Sequence, residues 1–313
     1  MLVCAAMRLW EIAAPDFDLA MTLDSGQVFH WEKQGSGFVG AIGEAAAYVQ
    51  QDGKGLRCSG VSAKATADYF ALDHPLEEIC ATFPKDVAMN SAREFCRGLR
   101  IIRQPKWECL ATFICSSMKQ VAHIRQISAA LRRRFGTAQK VGGRNIFTFP
   151  AAERLARASE RELRACALGY RARNLLTTAQ RVASGEANVE SWSKVSDSEL
   201  RERLCDLPGV GTKVANCVML FAYERINAFP IDVWIERVLR EQYFATKSRV
   251  AAKTLAEFAA KYFGRHGGYA QQYLFHYARM SGQRMKGPLP DPSHSLRMTN
   301  AARKTRPHVR TLS

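Results

Sequence analysis

Hydrophobic positions change their period about sixty residues into the chain. Over residues 16–60 apolar side chains fall in short alternating stretches: Phe17, Leu19, Met21 and Leu23, then residues 28–31, 38–42, 47–49 and 56–58. Gly-rich turns at residues 34–37 and 52–55 separate them, so the pattern predicts a small antiparallel sheet. Beyond Lys64 the spacing becomes helical. Helices are predicted over residues 65–72, 76–82, 85–97, 106–117, 120–135, 151–158, 160–166, 171–184, 197–205, 213–223, 233–243, 249–263 and 269–280. The stretch 106–117 is apolar enough to be a central buried helix. Residues 282–313 are rich in Pro and basic side chains, show no periodicity and read as a disordered tail. The fold class predicted is α+β, with an N-terminal region over 1–104, a helical core over 105–281 and the tail.

The most informative punctuation lies between two of these helices. Ser196-Asp197-Ser198-Glu199 reads as a capping box in which the serine and the glutamate satisfy free backbone N–H groups. Pro208 ends the helix it opens, and Gly209 and Gly211 permit positive φ and a close approach of backbone to a ligand. A second helix starts near Thr212, with Val214, Cys217, Val218 and Phe221 on one face. Free N–H groups at the Pro208, Gly209, Val210, Gly211 hairpin and at the following helix start favour an anion, most simply a nucleic-acid phosphate. A bare Pro-Gly-x-Gly is equally well a tight turn between packed helices, and Lys213 and Asp232 shift that balance. Lys213 sits in a first helical turn, where the dipole disfavours a second positive charge, so a lowered pKa and a nucleophilic amine are expected. Asp232, after Pro230-Ile231, is an N-cap by position. An ionised capping carboxylate is also suited to face a developing positive sugar centre.

Composition narrows the partner. The 313 residues carry 45 Lys and Arg against 29 Asp and Glu, a formal charge of +16, which favours a polyanion. The tail contributes +6 of this and the body +10. Nine cysteines at 4, 58, 80, 96, 109, 115, 166, 205 and 217 show no C-x-x-C pair. Reduced thiols are expected, with no zinc site and no iron–sulfur cluster. No long apolar run suits a bilayer, and the apolar opening of seven residues is short for a signal peptide.

The chain resembles the 8-oxoguanine DNA glycosylases of the helix-hairpin-helix superfamily over about residues 16–281. Besides the hairpin with Lys213 and Asp232, the segments that carry the likeness are Ser25-Gly26-Gln27-Val28-Phe29-His30-Trp31, Glu108-Cys109-Leu110-Ala111-Thr112-Phe113-Ile114-Cys115-Ser116-Ser117, Leu168-Gly169-Tyr170-Arg171-Ala172-Arg173 and Tyr269-Ala270-Gln271-Gln272-Tyr273-Leu274-Phe275. The resemblance implies a TATA-binding-like N-terminal domain packed on a helical glycosylase core, with the active site in the cleft. It implies a base-excision repair enzyme that flips 8-oxoguanine out of duplex DNA, attacks the sugar with Lys213 to form a Schiff base while Asp232 stabilises the cationic sugar, and then acts as an abasic-site lyase.

It also assigns the remaining roles. Tyr170 fills the gap, and Arg171 contacts the unpaired cytosine. Cys217 and Phe275 sandwich the purine, Gln271 bonds its Watson–Crick edge, and the Gly26 carbonyl accepts the N7 hydrogen that guanine lacks. By periodicity alone Cys217 and Phe275 read as core, and Tyr170 as a helix-start residue. Backbone carbonyls of Cys205, Leu207 and Val210 are expected to hold an optional cation, and no cofactor is required.

Three positions depart from the family pattern. Met118 replaces an Asn of the opposite-base reader, His123 stands for its second arginine, and Trp234 occupies the place of a phosphate-contacting His. Opposite-base preference is therefore left open. The alternatives are a glycosylase of this fold for another oxidised base, such as a formamidopyrimidine, and a non-catalytic DNA-binding protein. The expected protein is a monomer bound to double-stranded DNA, without a membrane, in a bacterial cytoplasm at the nucleoid or in a nucleus.

Overall fold

A computed structural model describes residues 9–117, 119–244 and 248–281. Met118, Cys4 and the tail 282–313 lie outside the described residues.

The sheet has five antiparallel strands, β1 (Trp10–Ala13), β2 (Glu32–Gln34), β3 (Gly37–Ile42), β4 (Ala45–Asp52) and β5 (Gly55–Ser59), in the order β1-β5-β4-β3-β2. Gly43 and Gly53, both at positive φ, make the tight turns on either side of β4. Two expectations fail here. The alternation from Phe17 to Leu23 is a helix, α1 (Leu19–Asp24), capped by the Asp18 carboxylate on the Met21 N–H at 2.8 Å. Leu19 and Leu23 are four residues apart, a spacing common to both periods, and both are buried on the one helical face. Residues 28–31 make no strand: Val28 and Phe29 drop into the interior, and the Trp31 indole donates to the Tyr69 hydroxyl at 3.1 Å. Strand β1 was not among the predicted elements.

The helices follow in sequence. The first three are α2 (Ala63–Tyr69), α3 (Leu76–Ala81) and α4 (Val87–Phe95), and then come α5 (Lys106–Ser116) and α6 (Val121–Phe135). A hairpin of β6 (Ala138–Val141) and β7 (Arg144–Phe147), turned at Gly142-Gly143, was not predicted because only Val141 of its residues is buried and no alternation shows. Next are α7 (Ala152–Ala156), α8 (Glu160–Leu163) and α9 (Arg171–Ala183), then α10 (Asp197–Cys205), α11 (Thr212–Ala222), α12 (Val233–Val238), α13 (Ala252–Phe263) and α14 (Gly267–Ser281). The predicted single helix over 160–166 stops at Leu163 and widens into a π-turn at Arg164–Leu168, in which Ala167 takes φ +63°. Another π-turn, Leu239–Tyr243, extends α12.

Two cores result. Phe17, Leu19, Leu23, Val49, Leu56, Tyr69, Phe70 and Ile102 fill the space between sheet, α1 and α2. The larger core gathers α5, α9, α11 and α14, and α3 and α4 join it: Cys96 bonds the Tyr273 carbonyl, and the Phe83 ring packs edge-on against Tyr273. As the sequence implied, α5 is central, with every residue from Glu108 to Ser116 buried. Its Glu108 is paired with buried Arg132 of α6, while His30 lies 3.5 Å from the same carboxylate. Burial holds the His30 imidazole well below its usual range, which leaves it neutral.

Candidate active site

The helix-hairpin-helix unit is α10, its turn and α11. Ser196 caps α10 by accepting the Glu199 N–H at 3.3 Å, but Glu199 turns to Arg203 at 2.6 Å, so only the serine half of the expected box is formed. A complete box occurs instead at Ser159 and Glu162. In the turn, Leu207 and Val210 are buried anchors, and Thr178 of α9 donates to the Pro208 carbonyl at 3.0 Å. Gly209 has φ +83°, and a Cβ there would stand 2.9 Å from Asn174 Cβ, so sign and space both demand glycine. Gly211 differs from expectation. Its φ is −99°, and nothing lies within 4 Å of a Cβ placed on it, so it leaves the start of α11 open rather than bending the chain.

That start bears Lys213. Its ammonium lies 5.1 Å from the centre of the Phe113 ring, which is stacked on Phe221. One turn later Cys217 is buried and bonded to Lys213; burial pushes the thiol pKa up and the lysine pulls it back. Asp232 caps α12, its Oδ1 accepting the N–H groups of Trp234 at 3.1 Å and Ile235 at 2.9 Å. Burial pushes the Asp232 carboxyl above the usual range, against the cap bonds and Lys213, so the expectation of a firmly ionised group meets an opposing effect.

Lys213, Asp232, Cys217, Gly26, Gln271 and Phe275 line a single cavity of about 40 Å³, together with Phe113, Phe221, Pro230 and Gln272. These residues come from five separate parts of the chain. Gln271 is 4% exposed, and its Oε1 is buried without a hydrogen-bond partner. The cavity is too small for a purine because the Phe275 ring edge lies 2.9 Å from where a Gly26 Cβ would be, so entry of a base requires Phe275 to move. Phe113 and Gln272 were not singled out from the sequence. The Gln-Gln doublet inside an otherwise apolar run was the available signal for Gln272, whereas Phe113 has none beyond its apolar helix.

The residues expected at the opposite base stand apart from this cavity. Tyr170 is 57% exposed, as a wedge requires, and the Arg171 guanidinium lies 4.3 Å from its ring centre. Arg171 itself is 5% exposed and committed to protein carbonyls, donating to Ser117 through Nε at 2.8 Å and through Nη2, and to Leu168 at 3.3 Å. The expected free fork toward a base edge is therefore not presented. His123 is exposed in the first turn of α6. Beside Asp232, Val233 is 77% and Trp234 36% exposed. Among the described residues no cluster of His, Cys, Asp and Glu could hold a metal. Of the carbonyls expected to hold a cation, that of Leu207 accepts the Val210 N–H at 3.1 Å and keeps one lone pair.

Comparison with known proteins gives a consistent result. A family model described as the 8-oxoguanine DNA glycosylase N-terminal domain matches residues 10–110, and one described as HhH-GPD superfamily base excision DNA repair protein matches residues 111–262. The N-glycosylase/DNA lyase OGG1 of Arabidopsis thaliana is 28% identical over 286 residues, 85% of this chain and 78% of that protein. A solved structure of MBOgg1 in complex with a low affinity DNA ligand is 32% identical, with a TM-score of 0.84, covering 88% of this chain and 96% of that one. The 8-oxoguanine glycosylase/lyase of Clostridium acetobutylicum, solved with duplex DNA containing cytosine opposite 8-oxoguanine, is 29% identical with a TM-score of 0.81, over 87% and 98% of the two chains.

Proposed function

The chain belongs to the 8-oxoguanine DNA glycosylase family of the HhH-GPD superfamily, and from this we propose that it excises 8-oxoguanine from duplex DNA through a Schiff base on Lys213 and then cleaves the strand as an abasic-site lyase. The observation that carries the reading is the convergence of an amine, a carboxylate and unpartnered acceptors on one small cavity.

The division of labour follows from chemistry. The target base must leave the stack, because neither the anomeric carbon nor the base edge is reachable in a duplex. Backbone N–H groups of Gly209, Gly211, Thr212 and Lys213 hold a phosphate, and Tyr170 stacks in the gap. The base slides between Cys217 and Phe275, which swings off Gly26 to admit it. Gln271 Oε1, buried without a partner, accepts from the Watson–Crick edge, and the Gly26 carbonyl accepts the N7–H. Guanine would present a lone pair to that carbonyl, leaving two buried acceptors face to face. The Lys213 amine attacks the anomeric carbon as the glycosidic bond breaks and its electrons leave with the base. Asp232 stabilises the positive charge developing on the sugar. Ring opening gives an iminium on Lys213, whose C2′ proton is then lost as the 3′ phosphate leaves.

In this reading residues 1–104 supply the base-reading glycine and residues 105–281 the nucleophile. A cation held by the carbonyls of Cys205, Leu207 and Val210 would stiffen the hairpin and takes part in no step. We place the protein on DNA, in a nucleoid or nucleus, as a monomer.

Borohydride reduction of an iminium leaves a permanent protein–DNA bond, which makes trapping the direct test. The wild type should cross-link to a duplex containing one 8-oxoguanine. Lys213→Gln should bind the same duplex but give no cross-link. Cross-linking at the wild-type rate would overturn the Lys213 assignment.

A further inference from the structure

The segment that joins α1 to the sheet carries the acceptor on which lesion discrimination rests in the reading above. Glycine is the residue whose peptide rotates most freely, yet Gly26, at φ +85°, is pinned from both sides. Gln272 Nε2 donates to the Ser25 carbonyl at 2.8 Å, and Gln104 Nε2 donates to the Gln27 carbonyl at 2.8 Å. The Gln27 side chain is spent inside the protein as well. Its Nε2 donates to Ser25 Oγ at 2.9 Å and to the Arg100 carbonyl at 2.8 Å, while its Oε1 accepts the Ile102 N–H at 2.7 Å. Gln27, Gln104 and Gln272 are all buried. Of the three consecutive carbonyls of Ser25, Gly26 and Gln27, only that of Gly26 has no donor among the described residues.

Adjacent glutamines on α14 thus border the cavity with different commitments. Gln271 borders the cavity with an unpartnered oxygen, and Gln272 turns its amide to the Gly26 segment. Gln104 adds a second link, because its backbone N–H donates to the Phe221 carbonyl at 2.8 Å, in the last turn of α11, the helix that carries Lys213 in its first turn. One residue therefore anchors both the peptide that reads the base and the helix that carries the nucleophile.

We propose that Gln272 is a positioning residue for lesion recognition. Its amide on the Ser25 carbonyl, opposed by Gln104 on the Gln27 carbonyl, holds the Gly26 peptide so that its unclaimed carbonyl meets the N7–H of 8-oxoguanine. The proposal rests on the assignment of Gly26 made above.

Gln272→Glu is nearly isosteric and replaces the donor with an acceptor facing the Ser25 oxygen. Single-turnover excision of 8-oxoguanine should fall by about tenfold, the scale of one lost hydrogen bond with a buried acceptor left unpaired. Borohydride trapping on a preformed abasic site should be unchanged, because an abasic site offers no base edge to read. The ratio of the two activities, measured in one preparation, does not depend on the folded fraction. Gln272→Met, an apolar isostere, should lower the same ratio and serves if the glutamate variant does not accumulate. An unchanged ratio, or a parallel loss of both activities in both variants, would overturn the proposal. A wild type that traps abasic DNA but excises no 8-oxoguanine would remove the lesion assignment and this proposal with it, leaving the Lys213 chemistry standing.

Discussion

Asp232 shows how one carboxylate is pulled in two directions. Its Oδ1 accepts two N–H bonds at the start of α12, and burial pushes its pKa above the usual range. The ionised form needed beside a cationic sugar is therefore the form that folding disfavours. Two consequences follow for Asp232→Asn, which keeps much of the cap. Excision at neutral pH should drop by about 10²-fold, the scale for a lost preorganised charge. The acid limb of the wild-type rate profile, set above the ordinary carboxylate range, should vanish in the variant. The sign for stability is opposite. A carboxyl whose folded pKa is raised contributes stability that is complete below its unfolded pKa and is lost as pH rises through the folded one. The melting temperature of the wild type relative to Asp232→Asn should therefore improve as pH is lowered from about 8 to about 4. A pH-independent difference in melting, with equal single-turnover rates, would reduce Asp232 to a cap.

At the scale of elements, the strands, the helices and the hairpin were legible where local signals agree. Pro208 and Gly209 end α10, Gly209 needs its positive φ, and the apolar repeat from Val214 restarts the helix. Legibility failed where a short pattern fits two periods, as at Leu19 and Leu23, or where no residue advertises the backbone, as at Ala167 in the π-turn before Tyr170. That π-turn and the end of α5 together decide what Arg171 can do. Because its guanidinium is held by the carbonyls of Ser117 and Leu168, using it on a cytosine requires breaking buried bonds. His123, exposed on α6, offers fewer donors than an arginine. A full base-edge contact discriminates by about 1–3 kcal/mol, and this site presents fewer of them in the free protein. Excision of 8-oxoguanine should therefore proceed opposite cytosine with only a shallow preference over thymine, guanine or adenine. Single-turnover rates on four duplexes that differ in that base alone check this, and a steep cytosine preference would show that Arg171 is released on binding.

For the whole molecule, the placement of Gly26 against Phe275 could not come from periodicity. The two are 249 positions apart, on the α1 connection and on the last described helix, and only their packing against α11 makes one cavity of them. The family likeness supplied that pairing, while the buried glutamines that hold it looked like ordinary polar residues in sequence. Net charge was legible from the start and bears on the molecule as a whole. A formal +16 concentrated in a chain of this size predicts that phosphate contacts provide much of the DNA affinity. Each phosphate neutralised releases counterions, so the logarithm of the association constant should fall linearly with the logarithm of salt concentration, by about 0.9 per phosphate. With roughly six phosphates held, affinity for a duplex should drop about 10³-fold between about 50 mM and 200 mM salt. Excision from the preformed complex should change little, because the bound duplex would cover the cavity that Lys213, Asp232 and Gln271 line. Fluorescence anisotropy titrations across this range give the slope, and single-turnover excision at saturating protein gives the second quantity. A flat affinity would contradict phosphate contacts as the main attraction, and a rate falling in step with affinity would mean that the cavity stays open to solvent during the reaction.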